Sequence, residues 1–114
     1  MKYQSVYRND LFKGRVIIVT GGGSGLGRCT AHELAALGAQ VVIVGRNDEK
    51  LQAVKAEILE DGGLISTFVC DIREESNVIN VIDNVLTLHG RIDGLVNNAG
   101  GQYRTAMNTI STKG

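Results

Sequence analysis

Four apolar runs rich in β-branched residues punctuate the chain: Arg15 to Thr20, Ala39 to Val44, Leu64 to Cys70 and Ile92 to Val96. The pattern predicts four strands, and the second run, Ala39 to Val44, is too continuous for a strand with one wet face, which argues for a sheet covered on both sides. Between them the apolar positions fall at helical spacing. Leu26, Thr30, Leu34 and Leu37, with small Ala31, Ala35 and Ala36, predict a first helix over about residues 25 to 37, ended by Gly38. Leu51, Val54 and Ile58 share a face of a second, which Asn47 or Asp48 can cap and Gly62 and Gly63 end. Val78, Val81, Ile82, Val85 and Leu88 predict a third from about Glu74, with Glu74 and Glu75 in the turn where the dipole favours acids, closed by Gly90.

The resulting β-α-β-α-β-α-β order, with right-handed crossovers between parallel strands, predicts an α/β fold with a doubly wound parallel sheet in strand order 3-2-1-4. Residues 1–13 read as a loosely ordered leader whose Leu11 and Phe12 can pack against the base of the first strand. No repeat, linker or low-complexity tract divides the chain, so residues 1–114 read as one domain.

The first strand runs into five glycines within seven positions, Gly21 to Gly27, and a helix opens directly afterwards. Glycine lets the main chain approach a ligand closely, and the first N–H groups of a helix lack partners and carry the positive dipole end. A pyrophosphate is met by such a turn, with Gly25, Leu26 and Gly27 supplying the helix start. A flexible loop is the plainer reading of a glycine cluster; the strand–turn–helix context favours the phosphate cradle. The spacing does not fit G-x-G-x-x-G, because position 28 is Arg, and it lacks the lysine of a P-loop.

What stands is Thr20-Gly21-x-x-x-Gly25-x-Gly27, with Asn97-Asn98-Ala99-Gly100 at the end of the fourth strand. The two motifs and their interval resemble the short-chain dehydrogenases/reductases. The resemblance implies a Rossmann-type, NAD(P)-binding domain and an oxidoreductase, with Gly21, Gly23, Ser24, Gly25, Leu26 and Gly27 around the pyrophosphate.

Ligands of an open parallel sheet bind beyond the carboxyl ends of its strands, at the switch between strands one and four. After the second strand an NAD site carries an acid for the ribose 2′-hydroxyl, whereas an NADP site supplies a cation. Here Gly45-Arg46 stands there, so NADP(H) is expected over NAD(H), with Arg46 clamping the 2′-phosphate and Ser24 as a second contact; an exposed arginine capping a strand end is the alternative. After the third strand, the resemblance assigns Asp71 to the adenine amino group and Ile72 to packing on the ring; Asp71 could instead cap the next helix, and Arg73 is left as a surface cation able to meet a charged substrate. Asn98, Ala99 and Gly100 are similar to the family's segment that lines the nicotinamide-side ribose and braces the sheet, against the alternative of a plain Asn/Gly turn.

Composition narrows the partners. The 114 residues are 43% hydrophobic with twelve basic and twelve acidic side chains, interspersed, as in a soluble domain. No basic block favours a nucleic-acid or membrane partner. The first fourteen residues hold no apolar signal core, so a cytoplasmic location is expected, organelle targeting remaining open. Cys29 and Cys70 are expected as unpaired buried thiols, and His32 and His89 as surface or satisfied helix histidines, with no metal site.

The family's Tyr-x-x-x-Lys pair and its catalytic Asn and Ser find no match: none of Tyr3, Tyr7 and Tyr103 has Lys four residues on, and these groups are expected beyond Gly114. The chain resembles about the first half of a family subunit, cut before the catalytic half. The tail after Asn97, with Gly-Gly-Gln-Tyr, is most similar to trans-2-enoyl- and 2,4-dienoyl-coenzyme A reductases, implying an acyl-CoA thioester as small-molecule substrate; a carbonyl or alcohol substrate is the generic alternative. The family also implies a homo-oligomer, dimer or tetramer. A non-catalytic NADP-binding module or inactive fragment is the competing class.

Overall fold

The structure, a computed structural model, describes residues 10–21, 23 and 25–98. It alternates β1 (Val16–Thr20), α1 (Gly25–Ala36), β2 (Gln40–Gly45), α2 (Asp48–Glu60), β3 (Leu64–Val69), α3 (Glu75–His89) and β4 (Gly94–Asn97). All strand pairs are parallel and the order is β3-β2-β1-β4, as the sequence pattern predicts. The order reverses after β3, when the chain returns across the sheet to the far side of β1. Right-handed crossovers then place α3 on the face opposite α1 and α2.

Two cores follow from this. Ile17, Val19, Val41, Ile43 and Ile65 meet Ala31, Leu51, Val54 and Ile58 on the α1/α2 face. Val16, Ile18, Val42 and Val44 meet Val78, Val81 and Val85 on the α3 face. Alternate residues of β1 and β2 thus enter opposite cores, which is why these strands are apolar at almost every position. Val19, Val41, Val42 and Ile43 are fully buried.

Several sequence expectations are corrected here. Leu26 is 75% exposed, because α1 lies close enough to the sheet that small Gly27 and Ala31 are its buried residues and the stripe is displaced from Leu26 and Thr30. Leu88 is 61% exposed: one turn beyond Val85 the inward position is His89, whose Nε2 pairs with Ser66 Oγ at 3.1 Å. Cys29 is exposed on the outer face of α1, whereas Cys70 is buried, and both thiols are free. Burial, aided by the charge of Asp71, pushes the Cys70 thiol up from its ordinary value. Phe12 packs on the α1/α2 core and donates its N–H to Leu37 O at 2.8 Å, while Leu11 is exposed. Strand bounds also move: β2 takes in Gly45, β3 ends at Val69, and β4 begins at Gly94 and reaches Asn97.

The helix ends follow local chemistry. Asn47 Oδ1 accepts the Lys50 N–H at 3.2 Å and caps α2. Glu74 occupies the cap position of α3 without a side-chain cap bond, and Gly90, at φ 81°, ends that helix with its N–H on Leu86 O at 2.8 Å. Between α1 and α2, Glu57 accepts from Arg28 Nε at 3.0 Å and Arg28 Nη2, and pairs with His32 at 2.8 Å. These hydrogen bonds, Arg28 first, lower the Glu57 pKa.

Asp93 pins the amino end of β1. Its carboxylate accepts the buried Val16 N–H at 2.8 Å, and its own N–H donates to Val16 O at 2.7 Å. Hydrogen bonds from Arg91 first and the Val16 N–H second hold the Asp93 carboxyl below its ordinary pKa. A depressed carboxylate contributes stability that is complete above its unfolded pKa, about 4, and is lost as pH falls through the folded value. Asp93→Asn is therefore expected to melt below the native protein at pH 7, with the gap closing as the pH is lowered past 4 in a calorimetric series.

The other edge of β4 has no strand partner among the described residues, and Ile79 and Leu86 of α3 are exposed. An open flat edge with apolar neighbours invites pairing. The chain is expected to self-associate in sedimentation velocity as concentration rises; a monodisperse monomer at every concentration would contradict this.

Candidate functional site

Parallel register brings every chemically informative residue to one edge. Thr20 of β1 stands opposite Val44 of β2 and Asn97 of β4, and Gly45 stands opposite Val69. The ladder continues past the strands: Gly21 N–H donates to Val44 O and Cys70 N–H to Gly45 O, each at 2.8 Å. Gly21, Arg46 and Asn98 are thus the first residues after β1, β2 and β4, and Asp71 is the second after β3.

The glycine turn is tight where the described residues show it. Gly21 and Gly25 have φ of 67° and 58°, a region that penalises a side chain. Gly23 lies against the first turn of α2, where a Cβ would come within 2.9 Å of Lys50 Cβ. Gly21, Gly23 and Gly25 thus stand where a side chain would be strained or crowded, and the first N–H groups of α1 face the crevice end of the sheet. Ser24 lies outside the described residues. Gly27 is buried beneath this turn, while exposed Leu26 offers an apolar surface above it.

Behind the turn, Thr20 is 1% exposed and joins β1 to β4. Its Oγ1 accepts the Asn98 N–H at 3.0 Å, with Asn97 Oδ1 at 3.1 Å and Val96 O at 3.3 Å as acceptors for its single proton. The bracing expected of an asparagine side chain is thus divided between the Asn97 side chain and the Asn98 backbone. Asn98 Nδ2 is buried and has no acceptor among the described residues, a cost that a bound polar group at the crevice would relieve. Ala99 and Gly100 lie outside the described residues.

Arg46 is exposed directly after β2. Asp71 does not cap α3. Its Oδ1 accepts the Arg73 N–H at 3.0 Å and Arg73 Nε at 3.0 Å, and its Oδ2 accepts Arg73 Nη2 at 3.0 Å. These bonds, side chain first, lower the Asp71 pKa to about 2, and the charge of Arg46 adds to the effect. Arg73 is therefore engaged locally rather than standing as a lone surface cation. Ile72 turns into an apolar cavity with Ile18, Val44, Cys70, Val78 and Leu95.

Sequence reasoning missed the Thr20 hydroxyl network and the Asp71–Arg73 pair. Thr20 is the first residue of the glycine fingerprint, and its place at the end of a buried run was the available signal. The Asp71–Arg73 pair had an Asp-x-Arg spacing, suited to an Asp turn.

These residues could hold a dinucleotide: glycines before a helix start for a diphosphate, a cation after β2, an ionised acceptor after β3, and a buried donor after β4 with no acceptor among the described residues. Comparison with known proteins shows the family. The family model described as short chain dehydrogenase matches residues 15–113. Fatty acyl-CoA reductase of Acinetobacter baylyi is 36% identical over 106 residues, covering 93% of this chain and 36% of the relative. A probable 2,4-dienoyl-CoA reductase of Bacillus subtilis is 35% identical, covering 88% and 39%. Among solved structures, the citronellol catabolism dehydrogenase AtuB of Pseudomonas aeruginosa is 54% identical with a TM-score of 0.84, covering 95% of this chain and 47% of that one. A metagenomic short-chain oxidoreductase in complex with NADP is 42% identical (TM-score 0.76; 79% and 41% covered), and an NAD⁺-bound xylitol dehydrogenase 39% (0.76; 81% and 35%). The chain belongs to the short-chain dehydrogenase/reductase family of oxidoreductases. It spans between a third and a half of the length of these relatives. Among the described residues no helix is long and apolar enough to cross a membrane.

Thr20→Val keeps the shape and removes the hydroxyl, leaving the Asn98 N–H unpaired. The expected loss is about 1–3 kcal/mol, read by denaturant unfolding, with Thr20→Ser retaining most of the native stability.

Proposed function

We propose that this chain is the cofactor-holding portion of an NADP(H)-dependent short-chain oxidoreductase. The observation that carries the reading is Arg46, exposed at the end of β2 beside the glycine turn, where no carboxylate stands to select a free ribose hydroxyl. Its planar fork suits a 2′-phosphate. The NADP-bound relative supports this choice and the NAD⁺-bound one shows that the family accommodates either cofactor.

In this reading Gly21, Gly23, Gly25 and Gly27 let the backbone meet the pyrophosphate at the start of α1, with Ser24 as a further phosphate contact and Leu26 covering it. Asp71 accepts a hydrogen bond from the adenine end while Ile72 supports the ring, and Asn98, Ala99 and Gly100 line the nicotinamide-side ribose. The nicotinamide, when bound, supplies or receives the hydride. These residues orient it and exclude water; a Tyr-x-x-x-Lys pair, with Asn and Ser, would move the proton. The substrate is a small molecule, a carbonyl, alcohol or acyl-CoA thioester. The thioester is favoured by the acyl- and dienoyl-CoA reductases among the relatives. The whole protein forms a homo-oligomer in the cytoplasm, and residues 1–114 form one unit within it.

Isothermal titration with NADP⁺ and NAD⁺ tests the reading. NADP⁺ is expected to bind more tightly, and Arg46→Ala to weaken it by about ten- to a hundredfold, the range of a charge-assisted hydrogen bond, with little change for NAD⁺. Equal affinity for both cofactors, with a ratio unmoved by the substitution, overturns the NADP assignment.

A further inference from the structure

β3 is the outermost strand on the side of the sheet away from β4, and its register with β2 fixes which of its groups are spent. Gly45 stands opposite Val69 and accepts the Cys70 N–H, so the main-chain groups of Ser66, Phe68 and Cys70 face β2. Those of Ile65, Thr67 and Val69 therefore face outward. Among the described residues no strand meets them. From Gly62 to Cys70 the chain carries no charge and no proline, and β3 pairs with β2 over six consecutive residues, with no bulge. The devices that usually blunt an edge are missing here.

The flank of this edge is self-complementary. Ile65 packs in the α1/α2 core and Phe68 in the other, so Ile65, Thr67 and Val69 share the α2 face. Gln52 Nε2 donates to Thr67 Oγ1 at 3.1 Å and to Asp48 Oδ1 at 3.2 Å. Thr67 is thus level with residue 52, and Asp48 lies on the side of α2 toward β3. Lys55 and Leu59 continue that side at helical spacing. Asp48 and Lys55 form no ion pair among the described residues, and Leu59 and Val69 are exposed.

A two-fold axis through Thr67, normal to the sheet, sets β3 antiparallel to β3 of a second copy. Thr67 then meets Thr67, Ile65 meets Val69, and every outward N–H and C=O faces another. At 1.5 Å per residue of helix, Asp48 lies about 6 Å from the level of Thr67 toward the carboxyl end of β3, and Lys55 about 4.5 Å toward the amino end. Inversion brings each Asp48 level with the other copy's Lys55, and exposed Leu59 near the level of the other copy's Val69. Moving the axis one residue, to Ser66, sets Asp48 against Glu60 instead, a pairing of like charges. Charge therefore selects the axis at Thr67.

We propose that the β3 edge and the adjoining side of α2 form an interface for a second copy of this chain, paired antiparallel about Thr67 with Asp48 and Lys55 crossing between copies. No cofactor-site residue takes part, so failure of this interface leaves the dinucleotide reading standing.

The test is cross-linking and sedimentation of the full chain. Cys29, the exposed thiol, is first replaced by Ser. In that background Thr67→Cys is expected to give a disulfide-linked dimer on mild oxidation, because residues in a hydrogen-bonded antiparallel pair stand about 5.5 Å apart at Cα, within bridging range. Ser66→Cys should not link, since the offset of two copies about Thr67 puts its Cα atoms beyond about 7 Å. Linkage by Ser66→Cys as readily as by Thr67→Cys, or by neither, overturns the proposal. In sedimentation equilibrium Lys55→Glu should weaken the dimer by about threefold or more, two exposed pairs being reversed, and adding Asp48→Lys should restore it. Association through the free edge of β4 would be indifferent to both substitutions, so an unchanged dissociation constant also overturns the proposal. Melting temperatures identify a variant that fails to fold, and the cysteine pair, which leaves α2 intact, then decides alone.

Discussion

The fold depends on how β1 is held in register between β2 and β4. Hydrophobicity alone does not fix that register, because both faces of β1 and β2 are apolar and buried; a slip by one residue would exchange one greasy face for another. What distinguishes the native register is polar. At the amino end Asp93 engages Val16 through its carboxylate and its backbone, and at the carboxyl end Thr20 engages Asn97 and Asn98. A displaced strand would leave these buried groups unpaired, at about 1–3 kcal/mol for each neutral group. The same two pins also determine that Gly21 and Asn98 leave the sheet side by side, so the geometry of the crevice is inherited from the register.

Much of this was legible in the sequence because the responsible interactions are local. The runs around Ile18 and Val42 announce strands buried on both faces, Asn47 announces the start of α2, and Gly90 its counterpart at the end of α3. Arg46, Asp71 and Asn98 fall at strand exits for the same reason, since each comes within two residues after an apolar run. The inward stripe of α1 was misread because closeness of approach, rather than side-chain size, decides it: where helix and sheet nearly touch, Gly27 and Ala31 displace Leu26 to solvent. The polar pins were legible only as candidate residues, not as pairings. Asp93 and Val16 are 77 positions apart, and Thr20 and Asn98 are 78 apart, so no periodicity connects them.

The crevice also shows how a chain without net charge can hold a polyanion. Twelve basic and twelve acidic side chains cancel, so no long-range field draws a nucleotide in, and screening would limit one to about 10 Å at 0.1 M salt in any case. Affinity must then come from groups in contact. The helix start of α1 contributes oriented N–H groups whose attraction fades within a turn, and its contribution is the same for NAD⁺ and NADP⁺. In the proposed reading Arg46 would act only where a further phosphate would sit. Arg73, although a second cation on the same rim, has its charge largely answered by Asp71 and so adds little attraction for phosphate. The two arginines differ by their partners rather than by their type: Arg73 is paired with Asp71, whereas Arg46 stands exposed after β2.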